Sequence, residues 1–391
     1  MVNSFPETGK KSIPIGSITP KEITRADFLK GNRGDKLDLN HHAMLSVLSF
    51  LSYFQGKQTN PMKYFLTCMV LIMSFSCSQK ESKTIGTIER LDPSFDALVK
   101  GDAKIEIIAE GFDWSEGPLW IEEQKMLLFS DVYTNTIYKW TEAKGKEKYL
   151  TPSGRTGSMP YSEEPGSNGL LLNSEGKLVL CQHGDRRVAL MDAPLTAPKA
   201  TFVTIADNFE GKKLNSPNDA VFNSKGELFF TDPPYGLPNK AEDSTKETSF
   251  QGVYKFTNNM LKLICDSLTR PNGIGLFPGE KTLLIANSDP EKAVWYAFDL
   301  VENDSVTNAR IFYDATANLA NEKGLPDGLK IDKQGNVFAT GPGGVWVFNS
   351  SGKVLGKIKI PELTSNCAFS PDEKTLYVTA DMYVVRVKLR D

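Results

Sequence analysis

Residues 271–286 read Pro-Asn-Gly-Ile-Gly-Leu-Phe-Pro-Gly-Glu-Lys-Thr-Leu-Leu-Ile-Ala, and the pattern in this stretch decides the fold. A Pro-Asn pair and a Gly open an apolar strand, which meets a polar turn at Pro278–Lys281 and then a second apolar strand at Thr282–Ala286. Two apolar runs joined by a short polar turn predict a β-hairpin. We call the residue at the Asn272 position the anchor of the segment.

Five other segments of the chain share this pattern, at intervals of about fifty residues with a shorter last interval. The six anchors are Glu116, Asn168, Asn218, Asn272, Asp327 and Asn366. A repeat of about fifty residues with four short strands is typical of a β-propeller blade. The sequence therefore predicts an all-β, six-bladed β-propeller with four-stranded blades over residues 103–391. A pair of β-sandwiches with the same strand count is the alternative, which the regular spacing disfavours.

The last repeat is short, because only three strands fit between Asn366 and the end of the chain. Residues Ala103–Ala109, which precede the first repeat, alternate between polar and apolar side chains as a strand does. We predict that this N-terminal strand completes the last blade and closes the ring, which removes most of the exposed sheet edges.

The composition of the 391-residue chain excludes several classes of protein. Hydrophobic residues make up 40% and charged residues 24%, which are globular values and not those of a disordered or multi-span membrane protein. With 45 Lys+Arg against 48 Asp+Glu the net charge is −3, which argues against a nucleic-acid-binding surface. The chain has three His, and its five Cys (68, 77, 181, 265 and 367) form no C-x-x-C pair, so a zinc cage is disfavoured.

The segment upstream of the propeller has the composition of a leader. Residues 1–61 show no sustained period and are expected to be disordered or an upstream extension of a start at Met62. Residues 62–77 resemble a signal peptide ending in a lipobox-like Ser-Phe-Ser-Cys, with Cys77 as the acylated residue, and are too short to span a bilayer. Residues 78–102 would then be a linker, and the protein an exported periplasmic or membrane-anchored lipoprotein. The alternative for 62–77 is a buried core helix.

The predicted positions of the six anchors suggest a metal-binding site. The first strand of every blade lines the central channel of a propeller, so equivalent positions lie at the same height around the axis. All six anchors carry a side-chain oxygen and two are carboxylates, which suits Ca²⁺, with Mg²⁺ or Mn²⁺ also open. Without a cation, two crowded carboxylates would repel and one pKa would rise. The alternative is that Asn and Asp only begin tight turns.

The second strand of each blade returns to the anchor face, where it is expected to place an outer ring of residues: Asp131, His183, Asp232, Asn287, Gly341 and Asp381. His183 shares a loop with Arg186 and Arg187, so a titratable group and two guanidinium groups come together there. The turn after Asp232 would hold Tyr235 at the rim. A structural role for His183 and a turn-capping role for Asp232 are the alternatives.

Four short motifs resemble the gluconolactonase and regucalcin-like (senescence marker protein) family over about residues 105–391. They are Glu116-Gly117-Pro118, Ser216-Pro217-Asn218-Asp219, Arg270-Pro271-Asn272-Gly273 and Pro326-Asp327-Gly328. The resemblance implies a six-bladed propeller with one divalent cation, usually Ca²⁺ or Zn²⁺, in its channel.

The same resemblance implies residue roles. Glu116, Asn272 and Asp327 would be metal ligands, and Asn218 a fourth ligand or a substrate contact. Asp327 would also be the catalytic base or nucleophile. The family gives no universal role to Asn168, Asn366 or His183, so these are placed by repeat geometry alone.

The sequence therefore predicts a metal-dependent hydrolase that opens a sugar lactone. Asp327 and His183 are the expected catalytic residues, and the expected substrate contacts are Asn218, Arg186, Asn168 and Tyr235. No G-x-S-x-G motif is present, which disfavours a serine hydrolase. The alternatives are a phosphotriesterase or aryl esterase on the same metal site, and a non-catalytic ligand-binding propeller. The expected partner is a small-molecule lactone and not nucleic acid, with membrane anchoring through Cys77 and a monomeric state.

Overall fold

A computed structural model describes residues 83–157, 162–301 and 305–390. The expected upstream extension at 1–61, the signal-like segment at 62–77 and its Cys77 lie outside the described residues. Two strands precede the first repeat, β1 (Thr87–Arg90) and β2 (Ile105–Glu110). Short 3₁₀ helices occupy Pro93–Ala97, Lys240–Glu242 and Thr316–Ala320. No helix in the described ranges has both the length and the apolar character that crossing a bilayer requires.

Blades 1 to 3 are antiparallel sheets of four consecutive strands, and a small hairpin lies between blades 2 and 3 in the chain. The strands are β3 (Ser115–Ile121), β4 (Met126–Asp131), β5 (Thr136–Thr141) and β6 (Gly145–Leu150) in blade 1; β7 (Ser167–Leu172), β8 (Leu178–Gln182), β9 (Arg187–Met191) and β10 (Phe202–Ala206) in blade 2; β11 (Asn208–Phe209) and β12 (Lys212–Lys213) in the hairpin; and β13 (Ala220–Phe222), β14 (Leu228–Asp232), β15 (Gly252–Thr257) and β16 (Met260–Cys265) in blade 3.

Blades 4 to 6 follow in the same way, except that the chain ends after the third strand of blade 6. The strands are β17 (Pro271–Leu276), β18 (Thr282–Asp289), β19 (Lys292–Leu300) and β20 (Val306–Asp314) in blade 4; β21 (Leu329–Ile331), β22 (Val337–Gly341), β23 (Gly344–Phe348) and β24 (Val354–Lys359) in blade 5; and β25 (Thr364–Phe369), β26 (Thr375–Ala380) and β27 (Tyr383–Lys388) in blade 6. The predicted six-bladed, four-stranded propeller is confirmed.

The N-terminal strand β2 is the outermost strand of blade 6. It pairs antiparallel with β27, with Ile105 opposite Val387. The ring is therefore closed by hydrogen bonds between the two ends of the propeller, as the alternating pattern of residues 103–109 predicted. Closure ties the first blade to the last and fixes the spacing of the strands around the axis.

The segment expected to be a linker differs from that expectation from residue 83 onward. Strand β1 pairs with β24, with Thr87 opposite Lys359, and gives blade 5 a fifth strand. Behind it, Phe95, Leu98 and Val99 are buried in the core shared with blades 5 and 6. Pairing with β1 covers the outer edge of β24, whose backbone N–H and C=O groups would otherwise be exposed.

The hydrophobic core lies between adjacent blades. Trp295 of blade 4 and Trp346 of blade 5 are fully buried with ring centroids 6.0 Å apart, and Phe348 lies 5.4 Å from the Trp295 ring. Aromatic side chains bury the largest areas of any residue, so such contacts hold each blade in place against the next. The cysteines at 181, 265 and 367 are buried in these layers as free thiols.

The first strands of neighbouring blades contact one another in a complete circle, from β3 with β7 around to β25 with β3. The glycine after the anchor makes this close approach possible. A Cβ at Gly117, whose φ is 51°, would collide with the carbonyl oxygen of Asn168, and one at Gly273 would collide with the carbonyl of Asp327. The anchors of successive blades are thereby brought side by side at the hub.

Candidate functional site

A cavity of about 510 Å³ opens at the hub, on the face where the first strands begin. Five of the six anchors line it, and we call them the cavity ring: Glu116, Asn168, Asn218, Asn272 and Asp327. Glu116 and the three Asn are almost fully buried, and Asp327 is partly buried. Residues that are 211 positions apart in the sequence, Glu116 and Asp327, thus share one pocket.

Hydrogen bonds to backbone carbonyls of neighbouring blades hold the cavity ring at one level. The Gly169 N–H donates to the Asn218 carbonyl at 2.8 Å, and the Thr231 hydroxyl donates to the Asn272 carbonyl at 2.7 Å. The circle closes where the Ser365 hydroxyl donates to the Ser115 carbonyl at 2.6 Å. Anchor positions are therefore set by the backbone of the neighbouring blade and not by flexible loops.

Both carboxyl groups of the cavity ring have a raised pKa, and burial is the main cause for each. Burial raises the pKa of Asp327 well above its ordinary value, and the negative charges of Glu116, Asp219 and Glu164 raise it further. Burial also raises the pKa of Glu116, against the Gly117 N–H bond, which stabilises the charged form. A cation between the two carboxylates would reverse both shifts, because it would stabilise the charged forms.

Four side-chain oxygens of the cavity ring are buried without a hydrogen-bond partner among the described residues: the Oδ1 atoms of Asn168, Asn218, Asn272 and Asp327. Leaving one such atom unpaired costs roughly 1–3 kcal/mol, and native proteins rarely tolerate several together. Oxygens of Asn and of carboxylates are the ligands that Ca²⁺ prefers. In the part of the chain that the structure describes, no group of three or more His, Cys, Asp or Glu side chains is placed to hold an ion. The donor set here is mainly amide oxygen and fits a hard cation.

His183 lies behind the cavity and not on its wall. It is fully buried, with Nε2 3.4 Å from Asn218 Nδ2 and Nδ1 3.3 Å from Glu164 Oε2. The contact with the amide nitrogen leaves the Asn218 oxygen directed elsewhere. This placement does not support the expected direct catalytic role of His183, because the imidazole contacts a residue of the cavity ring and does not line the cavity itself.

The expected outer ring is shifted by one residue in blade 2. Ser167 pairs with Gln182 across the strands, as Ser115 pairs with Asp131 in blade 1, so Gln182 is the equivalent residue and His183 follows it. In blades 1, 3 and 4 the outer-ring side chain, Asp131, Asp232 or Asn287, caps the start of the first strand. Asp131 accepts the Trp114 N–H at 3.0 Å, and Asn287 accepts the Arg270 N–H at 2.9 Å.

Arg186 was expected to contact substrate, and the structure does not bring it to the cavity. With a φ of 58°, it turns its guanidinium toward the backbone, where Nε donates to the Leu214 carbonyl at 2.7 Å and Nη1 to the Thr245 carbonyl at 3.0 Å. Arg187 bonds Gln182 at 2.6 Å. Arg186 therefore joins its turn to the segments at Leu214 and Thr245, and Arg187 joins β9 to β8.

Tyr235 lines the cavity, as expected, together with Asn168. Its turn is fixed by Ser216, whose hydroxyl donates to the Pro233 carbonyl at 2.6 Å and accepts the Gly236 N–H at 2.9 Å. Burial raises the pKa of the Tyr235 phenol, which bonds the Ser288 side chain. Tyr235 is therefore a neutral hydrogen-bonding group on the wall.

The sixth anchor, Asn366, belongs to a different set of contacts. Its Nδ2 donates to Asp219 Oδ2 at 3.3 Å, and Lys330 Nζ lies 3.4 Å from its Oδ1 and 3.9 Å from Asp219. We call Asp219, Lys330 and Asn366 the channel cluster; none of them lines the cavity. Asn366 also bonds the Glu116 side chain, which links the channel cluster to the cavity ring.

Several cavity residues gave no repeat signal. Glu164 lies at the end of a long polar insertion, and Arg270 and Trp114 each stand two residues before an anchor. Trp114 stacks with Tyr133, with centroids 6.4 Å apart, at one side of the cavity. The position two before the anchor holds different residue types in the two blades, but it directly precedes the first strand, which begins at Ser115 or Pro271, and so lies at the mouth of the channel.

Comparison with known proteins agrees with this architecture. A family model described as SMP-30/Gluconolactonase/LRE-like region matches residues 114–381. A gluconolactonase of Zymomonas mobilis is 38% identical over 314 residues, covering 78% of this chain and 87% of that protein. A solved structure of a gluconolactonase of Xanthomonas campestris is 27% identical, with a TM-score of 0.68, and covers 80% of this chain and 100% of that one.

A more distant relative has another activity in its name. A diisopropyl-fluorophosphatase of Loligo vulgaris is 26% identical over 204 residues, which cover 50% of this chain and 63% of that protein. The matched family model spans all six anchors, and the Zymomonas relative aligns along most of its own length. The chain therefore belongs to the SMP-30/gluconolactonase family.

Proposed function

We propose that this protein is a divalent-cation-dependent lactonase that opens a sugar lactone to its hydroxy acid. The observation that carries the proposal is the cavity ring itself, where four buried oxygens without partners and two carboxylates of raised pKa face one cavity. The names of the Zymomonas and Xanthomonas relatives support a lactone as substrate.

Glu116, Asn218, Asn272 and Asp327 would hold the cation, with Ca²⁺ favoured by the all-oxygen donor set over Zn²⁺, Mg²⁺ or Mn²⁺. When bound, the ion would polarise the lactone carbonyl and stabilise the charge that develops on its oxygen. Asn168 also directs an unpaired oxygen into this region and is placed to accept a hydrogen bond from a sugar hydroxyl. The wall is thus polar on the side of the reacting group.

Asp327 is the group that we assign to proton transfer or to nucleophilic attack. Its Oδ1 has no partner in the structure, and its other contacts come from Asn272 and neighbouring charges. As a base, it would take a proton from a water molecule whose oxygen adds to the carbonyl carbon. The C–O bond of the ring then breaks, and the departing alkoxide takes up a proton to give the hydroxy acid. Direct attack by the carboxylate is the other route.

The remaining wall would orient the sugar. The Tyr235 hydroxyl and Ser288 offer hydrogen bonds, and the Trp114–Tyr133 pair offers aromatic faces for the C–H groups of the ring. His183 acts here as a positioning residue, since it contacts Asn218 and Glu164 from behind the cavity.

The test compares Asp327→Asn with wild type on a panel of aldonolactones, with and without EDTA. Asp327→Asn should lower turnover on the order of 1,000-fold or more, because it removes the catalytic base. The melting temperature should stay the same, because the side chain keeps its shape. Asp372→Asn, at an exposed turn, is the matched control and should retain activity. Unchanged hydrolysis by Asp327→Asn, or indifference of the wild type to EDTA, would reject the proposal.

A second activity on the same site follows from the Loligo relative. The diisopropyl-fluorophosphatase match supports a phosphotriesterase or aryl-esterase reaction as the runner-up, with the same cation ligands. Turnover of phosphotriesters faster than that of every lactone tested would favour it. Tight lactone binding without turnover would favour the non-catalytic alternative.

For residues 62–77 we propose export and acylation of Cys77, and for the propeller a monomeric state. The sequence pattern that ends in Ser-Phe-Ser-Cys supports the first. Mass spectrometry of the membrane fraction, with Cys77→Ala as the comparison, tests it. Light scattering of the purified propeller tests the second.

A further inference from the structure

The cavity wall carries a single cationic side chain among the described residues, that of Arg270. Its backbone is fixed on both sides, since its N–H donates to Asn287 Oδ1 at 2.9 Å and its carbonyl accepts the Ser288 N–H at 2.8 Å. The side chain itself is solvent-exposed at the mouth of the cavity. Because the Arg270 backbone is fixed and its side chain is exposed, the guanidinium is available to a ligand that enters the cavity.

The carboxylates on the wall differ in their partners. Glu322 pairs with Lys357 at 2.8 Å and with Lys359 at 3.6 Å. Glu164 lies 3.3 Å from the His183 ring and has no Lys or Arg partner among the described residues. The remaining two carboxylates, Glu116 and Asp327, are the charges that the proposed cation would neutralise.

Arg270 has no such ion-pair partner among the described residues. Within residues 83–157, 162–301 and 305–390 its guanidinium makes no ion pair or side-chain hydrogen bond. Asp289 is close enough for the Arg270 charge to help lower its pKa, but that carboxylate is held by the Glu291 N–H at 3.0 Å. Arg270 is therefore the one cation that the wall presents to an anionic group, and none of the described carboxylates is bonded to it.

Two neutral donors stand beside this charge. The Tyr235 phenol and the Ser288 hydroxyl are hydrogen-bonded to each other on the wall, and Arg270 is near enough to act on the Tyr235 pKa. A guanidinium fork flanked by hydroxyl donors is suited to a planar or tetrahedral oxyanion. Nothing in the ring-opening reaction of a neutral lactone uses such a group away from the carbonyl.

We propose, building on the lactonase function above, that Arg270 binds an anionic substituent of the substrate, so that the preferred substrate is an acidic sugar lactone. The substituent is a carboxylate or a phosphate ester remote from the carbonyl that is attacked. Arg270 therefore sets specificity, whereas the cavity ring performs the reaction common to all lactones.

The experiment measures kcat/KM on three substrates in the presence of CaCl₂: neutral glucono-δ-lactone, glucaro-1,4-lactone with a free carboxylate, and 6-phosphoglucono-δ-lactone. Wild type should prefer one acidic lactone over the neutral one by about tenfold or more. Arg270→Gln should lose about 10- to 100-fold on that acidic lactone, mainly in KM, since bonds to charged groups are worth about 1.5–3 kcal/mol. On the neutral lactone it should stay within about twofold.

Two controls separate charge from geometry and from long-range steering. Arg270→Lys keeps the charge without the fork and should retain part of the preference. Arg310→Gln removes a cation that pairs with Asp299 on the outer strands of blade 4 and should change neither substrate. Comparison of the carboxylate-bearing and phosphate-bearing lactones shows which anion Arg270 binds.

The outcomes distinguish this proposal from the one it rests on. Equal losses on neutral and acidic lactones would overturn it, because they would place Arg270 at the carbonyl shared by all substrates. No preference of wild type for either acidic lactone would overturn it as well. If no lactone is hydrolysed at all, the lactonase function fails, and calorimetric titration with 6-phosphogluconate and glucarate decides separately. Binding of either anion by wild type and not by Arg270→Gln supports the anion site, and equal binding or none overturns it.

Discussion

The cavity ring and the channel cluster are built from the same kinds of residue but are satisfied differently. In the cavity ring, three Asn and Asp327 each leave an oxygen unpaired. In the channel cluster, Asn366 occupies the equivalent anchor position, yet its amide bonds Asp219 and its oxygen lies near Lys330. An anchor amide is thus a candidate ligand where the neighbouring blade supplies no hydrogen-bond partner for its oxygen. Where the neighbouring blade supplies such a partner, the amide is a structural group.

The largest effect that would test this comparison is expected from the cavity ring. Asn272→Ala removes an unpaired oxygen, so it should lower lactonase activity on the order of 100-fold or more, because several kcal/mol of transition-state stabilisation depend on the cation. It should also abolish the rise in melting temperature that CaCl₂ gives wild type. Enzyme assay and thermal unfolding with and without EDTA measure both.

The stability of this variant in EDTA is its own control. Without a cation, the gain from removing an unpaired oxygen is offset by the loss of the Asn272 hydrogen bond to Asp327, so the melting temperature should change little or fall slightly. A strong loss of stability in EDTA together with an intact response to CaCl₂ would place Asn272 among the structural residues instead.

The channel cluster should respond in the opposite way. Asn366→Ala leaves the buried Asp219 carboxylate without its amide donor and Glu116 without one partner, so it should cost about 1–3 kcal/mol in the free energy of unfolding. Urea unfolding measures the loss. The increase in melting temperature with CaCl₂ should persist, and its disappearance would show that Asn366 also belongs to the cation site.

The repeat pattern was sufficient to predict the hub because the propeller makes equivalent positions meet. Glu116 and Asp327 were placed together from spacing alone, and β2 was assigned to blade 6 from its alternation and from the missing strand. These inferences depend on periodicity, which the sequence records directly.

Side-chain direction was not readable in the same way. The first hairpin of blade 2 is one residue shorter than that of blade 1, since Ser167 pairs with Gln182, 15 positions on, whereas Ser115 pairs with Asp131, 16 positions on, so the count of residues to His183 was one too many. The Arg186 side chain is held by the backbone carbonyls of Leu214 and Thr245, outside the cavity. Glu164 lies in an insertion that no repeat describes. Such features arise from local backbone conformation, which residue types alone do not determine.

A smaller effect is expected behind the cavity ring. His183→Gln keeps a hydrogen-bonding group but changes its reach to Asn218 and Glu164, so cation affinity should fall about 10-fold and at most 100-fold, as for groups that orient ligands. Calcium titration followed by calorimetry measures this. At saturating CaCl₂ most of the activity should return, and a loss that calcium does not rescue would restore a direct catalytic role to His183.

The smallest effect concerns the strand-start caps, where blades 3 and 4 differ by one residue type. Asp232 is buried and accepts the N–H groups of Asn215 and Ser216, each at 2.8 Å, whereas Asn287 fills the equivalent place in blade 4. Burial raises the pKa of Asp232 from 3.8 to about 7, so between these values the folded protein holds a proton that the unfolded chain has lost. This contribution to stability is complete below pH 3.8 and is lost as the pH rises through 7.

Asp232→Asn should therefore flatten the fall in melting temperature between pH 5 and pH 8, and the difference between wild type and variant across that range isolates the group. The matched change in blade 4, Asn287→Asp, should add a fall of the same sign, because a carboxyl placed at that cap would be desolvated in the same way. If both variants keep the wild-type slope, the pH dependence has another source, and the two caps are interchangeable whatever their charge.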